Sequence, residues 1–122
     1  MAEPIAYCLT RDRDLADALD ARLFGAIVFF YNDAARLHQA VTLRVPNLVV
    51  VDTGAIREEY GDAGLGPVVD FLRRRCADVP IGVRPGPGVG HLVAAEAGDG
   101  VEMLPSARDE CVEAVAALCG CS

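Results

Sequence analysis

Asp52 is the residue best placed to do chemistry. It directly follows the apolar run Leu48-Val49-Val50-Val51. A carboxylate at the end of a buried strand caps nearby backbone N–H groups or pairs with a cation. The cations of this chain are of one kind: all 11 basic residues are arginine and none is lysine. Amine chemistry is thereby excluded, with no Schiff base, no P-loop lysine and no lysine clamp on a phosphate. Other reactive side chains are scattered. His38 and His91 stand in helical stretches away from any nucleophile. Cys8 and Arg13 are spaced one residue short of a phosphatase loop. Cys119-Gly-Cys121 is a lone C-x-C pair with too few partners to hold a metal. Gly86-Pro87-Gly88-Val89-Gly90 lacks the Lys-Ser/Thr of a phosphate loop and reads as a connection. Arg73-Arg74-Arg75 reads as a solvated helix end, favourable to the macrodipole.

The elements that must position Asp52 follow from periodicity. Five short apolar runs read as strands: Ile5 to Thr10, Ala26 to Tyr31, Leu48 to Val51, Ile81 to Val83 and Val101 to Leu104. The third is apolar throughout, as in a parallel strand covered on both faces. Between the runs lie helical stripes. Leu15, Leu19 and Leu23 form the first, with Asp12 as cap and Gly25 as stop. Asn32-Asp33 starts the second, whose stripe is Ala34, Leu37 and Val41. Residues 52–66 read as a long polar loop with at most a short irregular helix. Pro67 suits a first helical turn, and Val68, Leu72 and Cys76 continue it. His91 to Ala97 forms two further turns. Ser106-Ala107-Arg108-Asp109 reads as a capping-box variant, opening a helix that buries Cys111 and Val115 and ends at Gly120.

This alternation predicts an α/β fold, a flavodoxin-like (βα)5 three-layer sandwich with a parallel sheet of order 2-1-3-4-5. The crevice of such a fold lies beyond the C-terminal strand ends. The residues expected there are 10–12, 31–33, 52–54, 84–86 and 104–106.

Composition bounds the function. The 122 residues make one domain, 1–122, at 52% hydrophobic and 24% charged. A net charge of −7 argues against direct nucleic-acid binding. No run reaches the ~18 apolar residues of a membrane span, and the first residues lack a secretory signal, so a cytoplasmic protein is expected. The five cysteines at 8, 76, 111, 119 and 121 are then expected to be reduced. The Ala, Gly and Arg bias is that of a GC-rich bacterial genome.

From Pro46-Asn47-Leu48-Val49-Val50-Val51-Asp52, Val79-Pro80-Ile81 and Leu104-Pro105 the chain resembles a bacterial response-regulator receiver domain over its whole length. In that family the strand-three Asp takes a phosphoryl group. An acid pair after strand one binds magnesium, and a strand-four Thr or Ser and a strand-five Lys respond to the phosphate. The resemblance places Asp52 at the phosphoacceptor. It places Thr10 and Arg11 at the acid pair, with Asp12 matching a third, less essential acid. The strand-four hydroxyl falls on Pro85, the lysine on Leu104 and the aromatic switch on Val101. The prolyl peptide survives as Leu104-Pro105, which the family commonly holds cis.

The resemblance therefore implies a degenerate pseudo-receiver: a signalling module that binds a protein partner without phosphorylation, needs no cofactor or metal, and is not an enzyme. Its pocket would be Thr10, Arg11, Asp12, Arg84, Pro85, Leu104 and Pro105 around Asp52. Arg11 or Arg84 is expected within ion-pairing reach of Asp52, in the space a receiver gives to magnesium. The family's docking surface, its fourth helix, fifth strand and fifth helix, falls on about residues 91–117, and the same face often makes homodimers. Two alternatives stay open: a conventional phosphoacceptor using Asp52, and a small flavodoxin-like ligand-binding or enzyme domain.

Overall fold

The computed structural model describes residues 3–60, 64–85 and 101–120. Five parallel strands form one sheet: β1 (Ile5–Leu9), β2 (Ile27–Tyr31), β3 (Leu48–Asp52), β4 (Ile81–Arg84) and β5 (Glu102–Met103), in the order β2-β1-β3-β4-β5. The described helices are α1 (Arg13–Arg22), α2 (Ala34–Leu43), α3 (Thr53–Tyr60), α4 (Leu65–Arg75) and α5 (Arg108–Cys119). The expected turns at residues 91–97, the loop 86–90 and Cys121 lie outside the described residues.

Side chains alternate across the central strands, so both faces need cover. Tyr7, Leu9, Val49, Val51 and Val83 point to one face, where Leu37, Val41, Ile56, Val69 and Leu72 of α2, α3 and α4 meet them. Ala6, Cys8, Leu48 and Val50 point to the other, covered by Leu15 and Leu19 of α1 and by Cys111 and Val115 of α5. The three layers follow directly, and β1 and β3 are buried at every position.

Local signals place most helix ends. The Asp12 carboxylate accepts from the Leu15 N–H at 3.1 Å, and the Asp33 carboxylate from the Arg36 N–H at 2.7 Å. Each satisfies a donor that the helix itself leaves orphaned. Gly25 (φ 74°) and Gly120 (φ 76°) turn the chain left-handed just past α1 and at the end of α5.

Three sequence expectations need correction. Residues 53–60 are a regular helix, not a loop, because Ala55 and Ile56 are buried and anchor it against the sheet. The α4 stripe is Leu65, Val69 and Leu72, one residue round from Val68, which is half-buried. Its start at Leu65 leaves Pro67 within the first turn, where no N–H is missed. The cap of α5 is Ala107, with no side-chain cap bond, in place of Ser106. β2 lies at the sheet edge, as the expected order 2-1-3-4-5 requires, and its Ile27 and Phe29 are 42% and 46% exposed.

Candidate functional site

The sheet register sets Asp52 beside Arg84 at the C-terminal ends of β3 and β4. Thr10 follows β1, the strand on the other side of β3. These neighbours close a polar cluster over the strand ends. The Thr10 hydroxyl donates to Asp52 Oδ2 at 2.7 Å and accepts from the Asp12 N–H at 3.0 Å. Arg84 Nη1 donates to Asp12 Oδ2 at 3.1 Å and to Asp52 Oδ2 at 3.4 Å. Its Nε donates to the Ser106 carbonyl at 3.0 Å. The Thr53 hydroxyl donates to the Arg84 carbonyl at 3.1 Å, and the Gly54 N–H lies 3.4 Å from Asp52 Oδ1. One guanidinium thus ties the segments after β1, β3, β4 and β5 together.

The cluster is sheltered. The Arg84 and Asp52 side chains are 14% and 12% exposed. Burial raises the Asp12 carboxyl, but the Leu15 N–H and the Arg84 guanidinium outweigh it and hold the group below its usual range. Burial likewise opposes the charge on Arg84, and Asp12 and Asp52 more than restore it. Beneath the cluster lie two buried thiols. Burial, then the Asp52 charge, pushes Cys8 far up, and burial pushes Cys111 up to about 11. Both are neutral, inert apolar lining. Cys76 is also a buried free thiol.

Of the two arginines expected near Asp52, the structure selects Arg84. Arg11 turns away: its Nε donates to the Asn32 carbonyl at 2.7 Å and its Nη1 to Glu58 at 2.8 Å. It is a brace between the segments after β1 and β2 and helix α3. Pro85 is buried, and Pro105 is half-buried. Leu104 is buried over Gly82, whose missing Cβ would come within 2.9 Å of Leu104 Cδ1. An apolar contact therefore stands where the resemblance puts a lysine. The Leu104–Pro105 peptide is trans, against expectation, since no described peptide bond is cis. Trans is the intrinsic preference of an X–Pro bond by ~0.5–1 kcal/mol.

The sequence reading missed Glu58 and the Ser106 carbonyl. Glu58 was hidden because its helix read as loop. The carbonyl is backbone, which no residue type advertises.

Receiver domains bind magnesium at this place, and the donor set here does not fit it. A divalent cation wants several oxygen ligands. Asp12 and Asp52 are the carboxylates that converge, and among the described residues no third metal-binding side chain joins them. Arg84 Nη1 already sits between them with its own fixed charge.

No protein-family model matches the sequence, and no curated protein matches it. Solved structures do. NtrX from Brucella abortus, solved with ADP, superposes with a TM-score of 0.68 at 18% identity, covering 98% of this chain and 26% of NtrX. The receiver domain of the Francisella response regulator 1452 gives 0.68 at 15% identity, covering 96% of this chain and 97% of that one. The signal receiver domain of a LuxO-type repressor protein from Vibrio parahaemolyticus gives 0.68 at 13%, covering 97% and 91%. The chain thus has the fold of a response-regulator receiver domain. Among its described residues no helix is long and apolar enough to cross a membrane.

Proposed function

We propose that this chain is a pseudo-receiver: a cytoplasmic signalling module that recognises a protein partner without phosphoryl transfer. The observation that carries the reading is Arg84 Nη1, bonded to Asp12 and Asp52 at once. Phosphoryl transfer needs a cation that bridges the transferring oxygens and an open approach to the acceptor. A guanidinium tethered to Ser106 and to both carboxylates supplies neither. It holds the strand-end loops in one arrangement, so the domain is locked and not switched.

The partner surface in this reading is the receiver docking face, residues 91–117. Its described part presents the exposed Glu102 and Met103 of β5 and the exposed Asp109 and Glu110 of α5. That acidic, partly apolar strip suits a protein more than a nucleic acid. The module performs no catalysis and needs no cofactor, and the lack of lysine supports this.

The test is incubation with a small-molecule phosphodonor and magnesium, followed by intact mass and by NMR of residues 10–12 and 52–54. The expected result is an unchanged mass and unmoved signals. One added phosphoryl group on Asp52, with saturable magnesium shifts at those residues, would return the chain to the conventional phosphoacceptors.

A further inference from the structure

The exposed edge of the sheet is built in the opposite way from the strand-end cluster. Among the described residues β2 hydrogen-bonds to β1 alone. The Ile27 N–H donates to the Pro4 carbonyl at 2.8 Å, and the Tyr31 carbonyl accepts from the Thr10 N–H at 2.9 Å. In a parallel ladder alternate residues serve one neighbour, so Ile27, Phe29 and Tyr31 face β1. Val28 and Phe30 therefore turn their N–H and C=O groups outward.

Edges of this kind are ordinarily blunted by charge, proline or a bulge. Ile27-Val28-Phe29-Phe30-Tyr31 has no charge and no proline. Both of its faces are apolar and partly open. On the α2 side Ile27 and Phe29 continue into Leu43 and Val45, which are 81% and 49% exposed. Tyr7 joins the two parts: its ring lies edge-on to Phe29 at 5.9 Å, and its hydroxyl donates to the Arg44 carbonyl. On the α1 side Val28 and Phe30 floor an open groove of about 730 Å³, walled by Arg13, Ala16, Asp17 and Asp20 of α1.

We propose that this edge is a dimer interface, in which β2 of two copies pair antiparallel about a two-fold axis at Phe29, joining both sheets into one. Self-complementarity names the occupant. With Phe29 opposite itself, Ile27 meets Tyr31 and Val28 meets Phe30, so all five residues are paired. The outward groups of Val28 and Phe30 then exchange backbone hydrogen bonds in both directions. The pleat keeps Ile27, Phe29 and Tyr31 on one face and Val28 and Phe30 on the other, so each face stays apolar against apolar. Charge agrees. α1 runs antiparallel to β2, with Arg13 at its start and Asp20 near its end. The two-fold axis brings Arg13 of one copy towards the partner's Asp20, twice by symmetry. The pairing leaves the opposite edge of the sheet, at β5, unused.

Sedimentation across micromolar concentrations, with amide exchange read residue by residue, tests this. The wild type is expected to dimerise, with the Val28 and Phe30 amides protected in the dimer. F29R sets like charges opposite each other and is expected to give a monomer with unchanged far-UV circular dichroism. R13E and D20R are each expected to weaken the dimer several-fold, and together to restore it. A monomeric wild type, a dimer whose Val28 and Phe30 amides exchange freely, or charge reversals that do not recover in combination would overturn the proposal.

Discussion

The strand-end cluster and the β2 edge stand at neighbouring ends of one sheet and use opposite chemistry. At the cluster the side chains are polar and already bonded: Thr10, Asp12, Asp52 and Arg84 satisfy one another. At the edge the side chains are apolar and, among the described residues, β2 pairs with β1 alone. A pocket whose polar groups are bonded to one another has little left with which to grip a ligand. An edge with open apolar area retains free energy for association. The contrast teaches where this domain is finished and where it is not.

The sharpest way to break the comparison is Arg84→Met. It removes the charge, keeps most of the volume and strands Asp12 and Asp52 together in a sheltered site. Loss of a partner from a buried ion pair costs about 3 kcal/mol or more, so urea denaturation should show a destabilisation of that order.

Asp52→Asn should cost less, about 1–2 kcal/mol. Thr10 keeps an acceptor, and Arg84 keeps Asp12. Equality of the two variants in the same denaturation experiment would mean that Arg84 serves Asp52 alone.

Acid should act on the strand-end cluster. The Asp12 carboxyl is held below its ordinary value of 3.8. A depressed carboxylate contributes stability that is present above the unfolded value and lost as pH falls through the folded one. Thermal melts from pH 6 downward should therefore lose stability only as pH drops past about 4. Asp12→Asn should flatten that part of the profile.

The smallest effects belong to the edge in the isolated monomer. Ile27→Thr and Leu43→Ser change exposed positions, so monomer stability should stay within about 0.5 kcal/mol. A larger loss, measured at concentrations too low for association, would mean that these side chains serve the domain's own core.

How far the chain was legible depended on how local each signal is. Asp12 and Asp33 cap their helices within three residues, and their neighbours announce it. Val49, Val50 and Val51 read as a strand covered on both faces, and it is central. Helix α3 was not legible, because Thr53–Tyr60 has only a short apolar stretch and its burial comes from the sheet. The site was half legible. Strand ends placed Thr10, Asp52 and Arg84 near one another, but Arg11 looked equally able to reach Asp52.

By itself the amino-acid order determined the alternation of strands and helices, the caps, the absence of any amine and the carboxylate at the end of the third strand. These rest on properties that act over a few residues: side-chain periodicity, hydrogen-bonding reach and intrinsic charge. Only the tertiary structure decided that Arg84 takes Asp12 and Asp52 while Arg11 takes Glu58, because that choice depends on lateral strand register. It alone decided how open the edge strand is: in a run as apolar as β3, Ile27 and Phe29 stay 42% and 46% exposed. Hydrophobicity says that a strand seeks cover, and strand order says whether the same chain provides it.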